Sequence, residues 1–213
     1  MRNLHAYEFD RNFELAERIQ RLAERQRQRA SITFRNVHTD RRFRDDVGDI
    51  FQVYNTAWRD NWGFVPIDFD EFYTIAKEMM RQTKPEFVII VQVKGEFAGF
   101  DLAVPDVNQA IKKLGNGKLL PFGIVRLLWH LKGPRRRATV NRIRIIALGI
   151  NPVFQHLGIG PIMYAEYWKR LIAAGYTACE MSWVLEENPA SQSLEMAGAK
   201  KTKVYRVYQS DLT

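Results

Sequence analysis

The spacing of apolar residues alternates between the period of a strand and the period of a helix. Apolar and polar residues alternate over 31–37, as in a half-buried strand. They then recur at helical spacing over 43–62 and 68–83. Residues 86–105 form two apolar runs joined at Gly95, which predicts a β-hairpin because glycine permits the tight turn.

The second half of the chain repeats this alternation. The expected elements are a strand, a helix, a strand, a short helix and a last strand, at residues 142–150, 160–174, 176–188, 189–199 and 203–210. Asn188 is the expected N-cap of the short helix, and Asp68 or Asp70 that of the helix before the hairpin. This order predicts an α/β fold with a single mixed sheet, built as one domain from residue 31 to residue 213.

The first 30 residues follow a different pattern and are expected to form a strand/helix appendage. Residues 11–29 have helical spacing, with Asp10 as the N-cap. The polar face of this helix carries Arg18, Arg21, Arg25, Arg27 and Arg29. Such a face is typical of an amphipathic helix docked on a neighbour, and also of an arm that binds nucleic acid or membrane. The glutamates interleaved with the arginines favour the docked helix.

Composition narrows the class of protein. The chain has 213 residues, 46% of them hydrophobic, which is typical of a globular protein. Cys179 is the single cysteine, so no internal disulfide forms, and no apolar stretch approaches the ~20 residues of a membrane span. We therefore expect a cytoplasmic protein with no membrane partner. The histidines are scattered, so no metal site is expected. A formal net charge of +8 favours anionic partners without choosing among them.

The loop between the strand at 142–150 and the next helix is rich in glycine. It contains Gly158 and Gly160, directly followed by Pro161. One interpretation is a tight strand-to-helix turn, in which glycine supplies a positive φ and proline suits the first helical turn. The other is an anion cradle, in which bare backbone N–H groups at a helix N-terminus point at a phosphate.

The order of elements, with this loop in this place, resembles the GNAT superfamily of acyl-CoA-dependent N-acyltransferases. The pyrophosphate loop of that family reads Gln/Arg-x-x-Gly-x-Gly/Ala, and Gln155, Gly158 and Gly160 fill its positions. The family's asparagine after the next strand corresponds to Asn188, in a segment that ends near Gly198. The resemblance covers residues 32–208. The opening segment also looks like a connector in chains that carry two such domains, of which this would be the C-terminal half.

The resemblance implies a mostly antiparallel sheet that is splayed at its centre and flanked by helices. It implies that acetyl-CoA, or another acyl-CoA, is the co-substrate. The pyrophosphate would lie on the glycine loop, and the pantetheine arm would add to the strand before it, with Gly149 as the expected bulge. By this resemblance the cofactor-binding residues are Leu148, Ile150, Gln155, His156, Leu157, Gly158, Ile159, Gly160 and Asn188.

The resemblance also implies a direct attack of an amine on the thioester. The tyrosine that protonates the thiolate in many relatives corresponds to Leu194, which cannot donate a proton. Tyr164, Tyr205 or a water molecule are the alternatives, of which we take Tyr164. Glu180 is the candidate base, because desolvation in the cleft would raise its pKa; a surface glutamate is the alternative.

Aromatic residues are the candidates for the acceptor side of the site. Trp58, Trp62 and Trp183 lie in the regions that form this wall in the GNAT fold, and they would suit an apolar acceptor. Packing in the core is the alternative.

Three functions follow, in order of preference. The first is an N-acyltransferase that moves an acyl group, foremost acetyl, to a small-molecule amine or a peptide. The second is a GNAT-like module that binds CoA or an acyl chain without efficient turnover. The third is a basic nucleic-acid-associated protein, which ranks last because the sequence has no RNP, helix-turn-helix or zinc signature. The acceptor, the acyl length and a homo-oligomeric state are left open.

Overall fold

The computed structural model of the chain describes residues 1–10, 21, 24–28, 30–59, 61–114, 122–132 and 139–209. Residues 24–28 are helical, and most of the helix expected at 11–29 lies outside the described residues. No helix in the described part of the chain is long and apolar enough to cross a membrane.

A seven-stranded mixed sheet organises the fold, and the expected fold class is confirmed. The strands are β1 Arg2–Asp10, β2 Ile32–Asn36, β3 Val88–Val93, β4 Glu96–Pro105, β5 Arg142–Ile150, β6 Ala178–Leu185 and β7 Lys200–Val207. Their order across the sheet is β2-β3-β4-β5-β6-β1-β7. All neighbours are antiparallel except β5 and β6, which are parallel. The hairpin expected at 86–105 is β3 and β4.

Helices cover both faces of the sheet. They are α1 Phe43–Ala57, α2 Phe69–Gln82, α3 Asn108–Lys112, α4 Gly123–Lys132, α5 Ile159–Ala173 and α6 Pro189–Met196. Asp68 is the N-cap of α2, since its carboxylate accepts a hydrogen bond from the backbone N–H of Glu71. Asn188 caps α6 in the same way through the N–H of Ala190. Both caps agree with the sequence.

The first ten residues do not form an appendage, and this part of our prediction is wrong. Strand β1 lies inside the sheet, where it pairs with β6 on one side and β7 on the other. Tyr7 and Phe9 are buried in the main core. Strand β1 therefore belongs to the same sheet as the later strands, because its backbone groups pair with strands from the far end of the chain.

Different helices pack on the two faces of the sheet. On one face Ile143 and Ile145 of β5 pack against Tyr167 and Leu171 of α5. On the other face Phe100 of β4 packs against α1, with α2 outside it. This division follows from strand geometry, because successive side chains point to opposite faces.

Candidate functional site

Strands β5 and β6 separate part-way along their length. They pair only from Arg142 opposite Ala178 to Ile145 opposite Met181, and beyond that point no ladder joins them. A bulge sits at the point of divergence. Ile145 faces Ala103 and Ala147 faces Leu102 across the β4–β5 ladder, which leaves Ile146 as the extra residue.

The bulge is therefore at Ile146, and the expected bulge at Gly149 is wrong. Gly149 pairs regularly with Phe100 of β4. A Cβ at position 149 would lie 2.7 Å from the Phe100 ring and 2.8 Å from the Trp58 ring. Glycine is needed there because the Trp58 indole lies directly on the backbone of β5.

The divergence opens a cleft of about 700 Å³ between the two strands. Residues 145–148 of β5 and 181–185 of β6 form two of its walls, and the segment 58–67 forms a third. Trp58, Trp62 and Trp183, the three tryptophans expected on the acceptor side, all line this cleft. Trp62 and Trp183 are exposed, so they do not serve as core residues. A large exposed aromatic surface in a concave place is typical of a ligand site.

The glycine loop lies between β5 and α5. Residues 152–157 form a turn of 3₁₀ helix, and Gly158 follows in the left-handed conformation, with φ 63° and ψ 38°. Gly158 is also the N-cap of α5 and offers no side chain to the first turn. The first N–H groups of α5, at Ile159 and Gly160, therefore have no side-chain cap. The two interpretations of the loop are compatible, since the turn itself leaves a helix N-terminus that suits an anion.

The other residues expected to bind the cofactor lie in different surroundings. Leu148 lines the cleft, whereas the side chain of Ile150 lies beside Gly160. The backbone carbonyl of Gln155 accepts from the N–H of Gly158. Asn188 lines the cleft but uses its side chain as the α6 cap.

His156 and Leu157 line a second hollow, of about 540 Å³, rather than the cleft. Gln26 lines the same hollow and donates from its side-chain amide to the Leu157 carbonyl, at 3.3 Å. This contact docks the described part of the N-terminal helix on the loop.

Tyr164 places a hydroxyl group between the loop and the cleft. The residue is buried, lines the cleft, and its oxygen would lie 3.9 Å from a Cβ built on Gly160. Burial raises the pKa of Tyr164 far above its ordinary value. The hydroxyl therefore stays protonated at neutral pH and is a hydrogen-bond donor beside the cleft.

Asp101 is a buried carboxyl group that the sequence analysis missed. Both of its oxygens, like the Tyr167 hydroxyl, are buried without a hydrogen-bond partner among the described residues. Burial raises the pKa of Asp101 well above its ordinary value, because desolvation favours the protonated carboxyl group. An aspartate within the apolar run of β4 was the available signal.

Glu180 does not face the cleft, and the expected rise of its pKa is wrong. Its neighbours Cys179 and Met181 belong to the core under α5, so its side chain points to the opposite face. There its carboxylate lies 2.8 Å from Lys203 Nζ and 3.1 Å from Arg144 Nε. Burial by itself raises the pKa of Glu180. The hydrogen bond from Lys203 and the charges of the surrounding cations together lower the pKa by more than burial raises it, so the net shift is downward.

Leu194 is a core residue in the structure. It is fully buried in α6 within the main core cluster, which also contains Tyr164. The position expected for the family's acid therefore carries no group that could transfer a proton. No group of three or more His, Cys, Asp or Glu side chains within the described ranges is placed to hold a metal ion.

Solved structures share the fold of this chain. A GCN5-related N-acetyltransferase from Sphaerobacter thermophilus superposes with a TM-score of 0.55 at 12% identity, over 96% of this chain and 50% of that chain. AAC(6')-Iy, in complex with the bisubstrate analog CoA-S-monomethyl-acetylneamine, gives a TM-score of 0.51 at 10% identity, over 85% of this chain and 99% of that chain. The chain has the GNAT fold. The resemblance found in the glycine loop is thereby confirmed at the level of the fold.

Two curated proteins are similar to this chain in sequence. Protein YghO of Escherichia coli (strain K12) is 31% identical over 86% of this chain and 47% of its own length. A bacterial ceramide synthase of Caulobacter vibrioides (strain NA1000 / CB15N) is 33% identical over 99% of this chain and 54% of its own length. The chain thus spans about half the length of the curated relatives it matches. No protein-family model matches it.

Proposed function

We propose that this GNAT domain transfers an acyl group from an acyl-CoA to an amine held in the cleft. The observation that carries the proposal is the divergence of two parallel strands beside a helix N-terminus that has no side-chain cap. The open edge of β5 offers amide hydrogen bonds to the pantetheine arm. The first turn of α5 offers N–H groups to the pyrophosphate.

The chemistry uses few side chains. The amine nitrogen attacks the thioester carbonyl, a C–N bond forms, and the C–S bond breaks to release the thiolate. Tyr164 gives its proton to the thiolate and regains one from solvent. The described residues that line the cleft include no Asp, Glu, His, Lys or Arg, so the amine loses its proton to water. Most of the rate then comes from positioning the two substrates, which can contribute up to roughly 7–11 kcal/mol.

The lining supports an acceptor with an apolar or aromatic part. Trp58, Trp62 and Trp183 surround the place where the amine would enter. One relative is named a bacterial ceramide synthase, and ceramide is an amide of a long-chain amine. The name therefore supports amide formation as the reaction. Transfer of acetyl, a peptide acceptor, a cytoplasmic location and a homo-oligomeric state stay predictions.

A CoA-binding module without efficient turnover is the second candidate. The burial of Leu194 in the core and the ion pairs of Glu180 favour it, since both remove a group that could move a proton. Binding and turnover separate the two candidates, so both are measured.

Binding is tested by titrating the protein with CoA and acetyl-CoA in a calorimeter. Gly158→Ala forces a side chain into the left-handed conformation, which costs about 1–2 kcal/mol unless the loop shifts. We expect CoA to bind about tenfold more weakly to this variant. Gly175→Ala is the matched control, because Gly175 also has a positive φ and open space around it but ends α5 far from the loop. Equal affinities of both variants would remove the loop from the site.

Turnover is tested by the release of free thiol from acyl-CoA with a panel of amines. Tyr164→Phe should lower kcat by about 10²-fold while CoA binding is unchanged. Tyr167→Phe removes a buried hydroxyl from the same helix without reaching the cleft, so its kcat should equal that of the wild type. CoA binding without turnover for any amine would favour the binding module.

A further inference from the structure

Helix α2 has an apolar face, but that face is only partly packed. Its 14 residues include an apolar face, yet none of them is buried. Phe72, Met79 and Met80 are only half-buried, and Ile75 is 45% exposed. The helix is held mainly through aromatic contacts with α1, such as Phe51 to Phe72 with ring centroids 5.4 Å apart. Part of its apolar face therefore borders space, while Phe72 and Met80 pack against neighbouring side chains.

That space is an apolar chamber of about 230 Å³ that lies between α1, α2 and the sheet and is partly open. Phe100 and Leu102 of β4 form its floor, and Ala76 and Met79 of α2 form part of its roof. All of its lining side chains are aliphatic, aromatic or methionine. Water finds few polar partners on such a lining, so an apolar group is favoured there over water.

The chamber adjoins the cleft at the point where β5 and β6 separate. Five residues line both spaces: Tyr54, Ile67, Ile75, Ile146 and Ala147. Ile146 is the bulged residue at the divergence. A group that extends from a substrate in the cleft past Ile146 would therefore enter the chamber.

We propose that the chamber binds the alkyl chain of a substrate of the transfer reaction. This inference rests on the proposed function and deepens it by naming the substrate class as a lipid-like thioester or amine. A methylene group takes up roughly the 30 Å³ of a water molecule, so the chamber holds about eight carbons. The alkyl chain completes the packing of α2. The carbons of a longer alkyl chain that the chamber cannot hold lie in the cleft.

The experiment measures affinity as a function of chain length. One series is CoA and its thioesters with 2, 4, 6, 8, 10 and 12 carbons, and the second is primary alkylamines of the same lengths. Each methylene group that enters the chamber should tighten binding about three- to fourfold, up to about eight carbons. Because the two series are separate, they show whether the chain belongs to the acyl donor or to the acceptor.

Two variants and one control tie the effect to the chamber. Ala76→Phe fills it and should abolish the dependence on chain length, while affinity for CoA itself is kept. Met79→Ala enlarges it and should move the plateau to longer chains. Thr74→Phe adds the same side chain to α2 at an exposed position that does not line the chamber, and it should behave as the wild type.

The outcomes separate this inference from the proposed function. Affinity that is independent of chain length in both series would overturn the chamber proposal, as would a dependence that survives in Ala76→Phe. Failure of CoA to bind, together with chain-length dependence of the alkylamines that Ala76→Phe abolishes, would overturn the acyl transfer and keep the alkyl site.

Discussion

Helices α5 and α2 are nearly equal in length, with 15 and 14 residues, but α5 buries six of its residues and α2 buries none. Both are amphipathic and both lie on the central strands of the sheet. Under α5 the side chains form a closed core that includes Tyr167 and Leu171. Under α2 they surround the apolar chamber. Hydrophobic spacing in the sequence predicts both helices, but they differ in how completely their side chains are buried by tertiary packing.

This difference in burial indicates that the two faces of the sheet have different roles. The face under α5 supplies the stability of the fold and carries the glycine loop at the start of that helix. The face under α2 leaves its apolar surface for another occupant. Elements that bind ligands are drawn from the less stable parts of a protein. Substitutions of equal size on the two faces should therefore have unequal effects.

The largest difference is expected for truncation of a large apolar side chain. Leu171→Ala should lower the free energy of unfolding by about 3–4 kcal/mol, because Leu171 is fully buried in the closed core. Met79→Ala should lower it by less than about 1 kcal/mol, since Met79 already borders empty space. Urea unfolding at pH 7 measures both. Equal losses would mean that α2 is packed as tightly as α5.

The next difference concerns the buried carboxyl group on the α5 face. The raised pKa of Asp101 means that the folded protein keeps a proton that the unfolded chain loses above about pH 4. The stability that this carboxyl contributes is thus fully present below pH 4 and is lost as the pH rises toward the folded pKa. Relative to Asp101→Asn, the wild type should lose stability as the pH rises from 5 to 7. Urea unfolding at both pH values checks this, and parallel pH profiles of the two proteins would contradict it.

Glu180 is the matching carboxylate on the opposite face, and its expected pH dependence has the opposite sign. Its lowered pKa gives stability that is present above about pH 4 and is lost as the pH falls through the folded pKa. Glu180→Gln should cost about 2 kcal/mol at pH 7, reduced from a fully buried ion pair because Lys203 is half-exposed. The cost should shrink as the pH falls through the folded pKa of Glu180, which urea unfolding at several pH values measures.

Glu8→Gln is the control for this prediction. Glu8 also lies near Arg142, at 3.3 Å, but it is partly exposed. Its replacement should change stability by less than about 1 kcal/mol at either pH. A cost for Glu8→Gln equal to that for Glu180→Gln would mean that burial adds nothing to the ion pairs of Glu180.

Local signals in the sequence predicted the elements and part of the site. Hydrophobic spacing placed the strands and helices of residues 32–105 and 142–208, and Asp68 and Asn188 marked helix starts by their capping chemistry. The glycines of the loop predicted a positive φ at Gly158, and the three tryptophans line one cleft. Each of these features depends on residues close together in the chain.

The features that were missed depend on residues far apart. The place of β1 requires pairing with β6 and β7, about 170–205 residues away in sequence. The cations around Glu180 come from β5 and β7, and spacing within β6 could not reveal them. The bulge at Ile146 arises from the register of β5 on β4, while Gly149 is explained by the ring of Trp58.

The smallest effect is expected for the N-caps of α2, which has no buried residue, and of α6, which has buried residues. Asp68→Ala removes the N-cap of α2, and Asn188→Ala removes that of α6, whose Leu194 is fully buried. Each loses about 1 kcal/mol of cap stabilisation. Because α2 is not anchored by buried residues, Asp68→Ala should speed hydrogen exchange within α2 about fivefold and leave global unfolding nearly unchanged. Asn188→Ala should lower global stability instead, since α6 opens only with the core. Exchange measured by mass spectrometry, beside urea unfolding, distinguishes the two, and a global loss in Asp68→Ala would mean that α2 unfolds with the sheet.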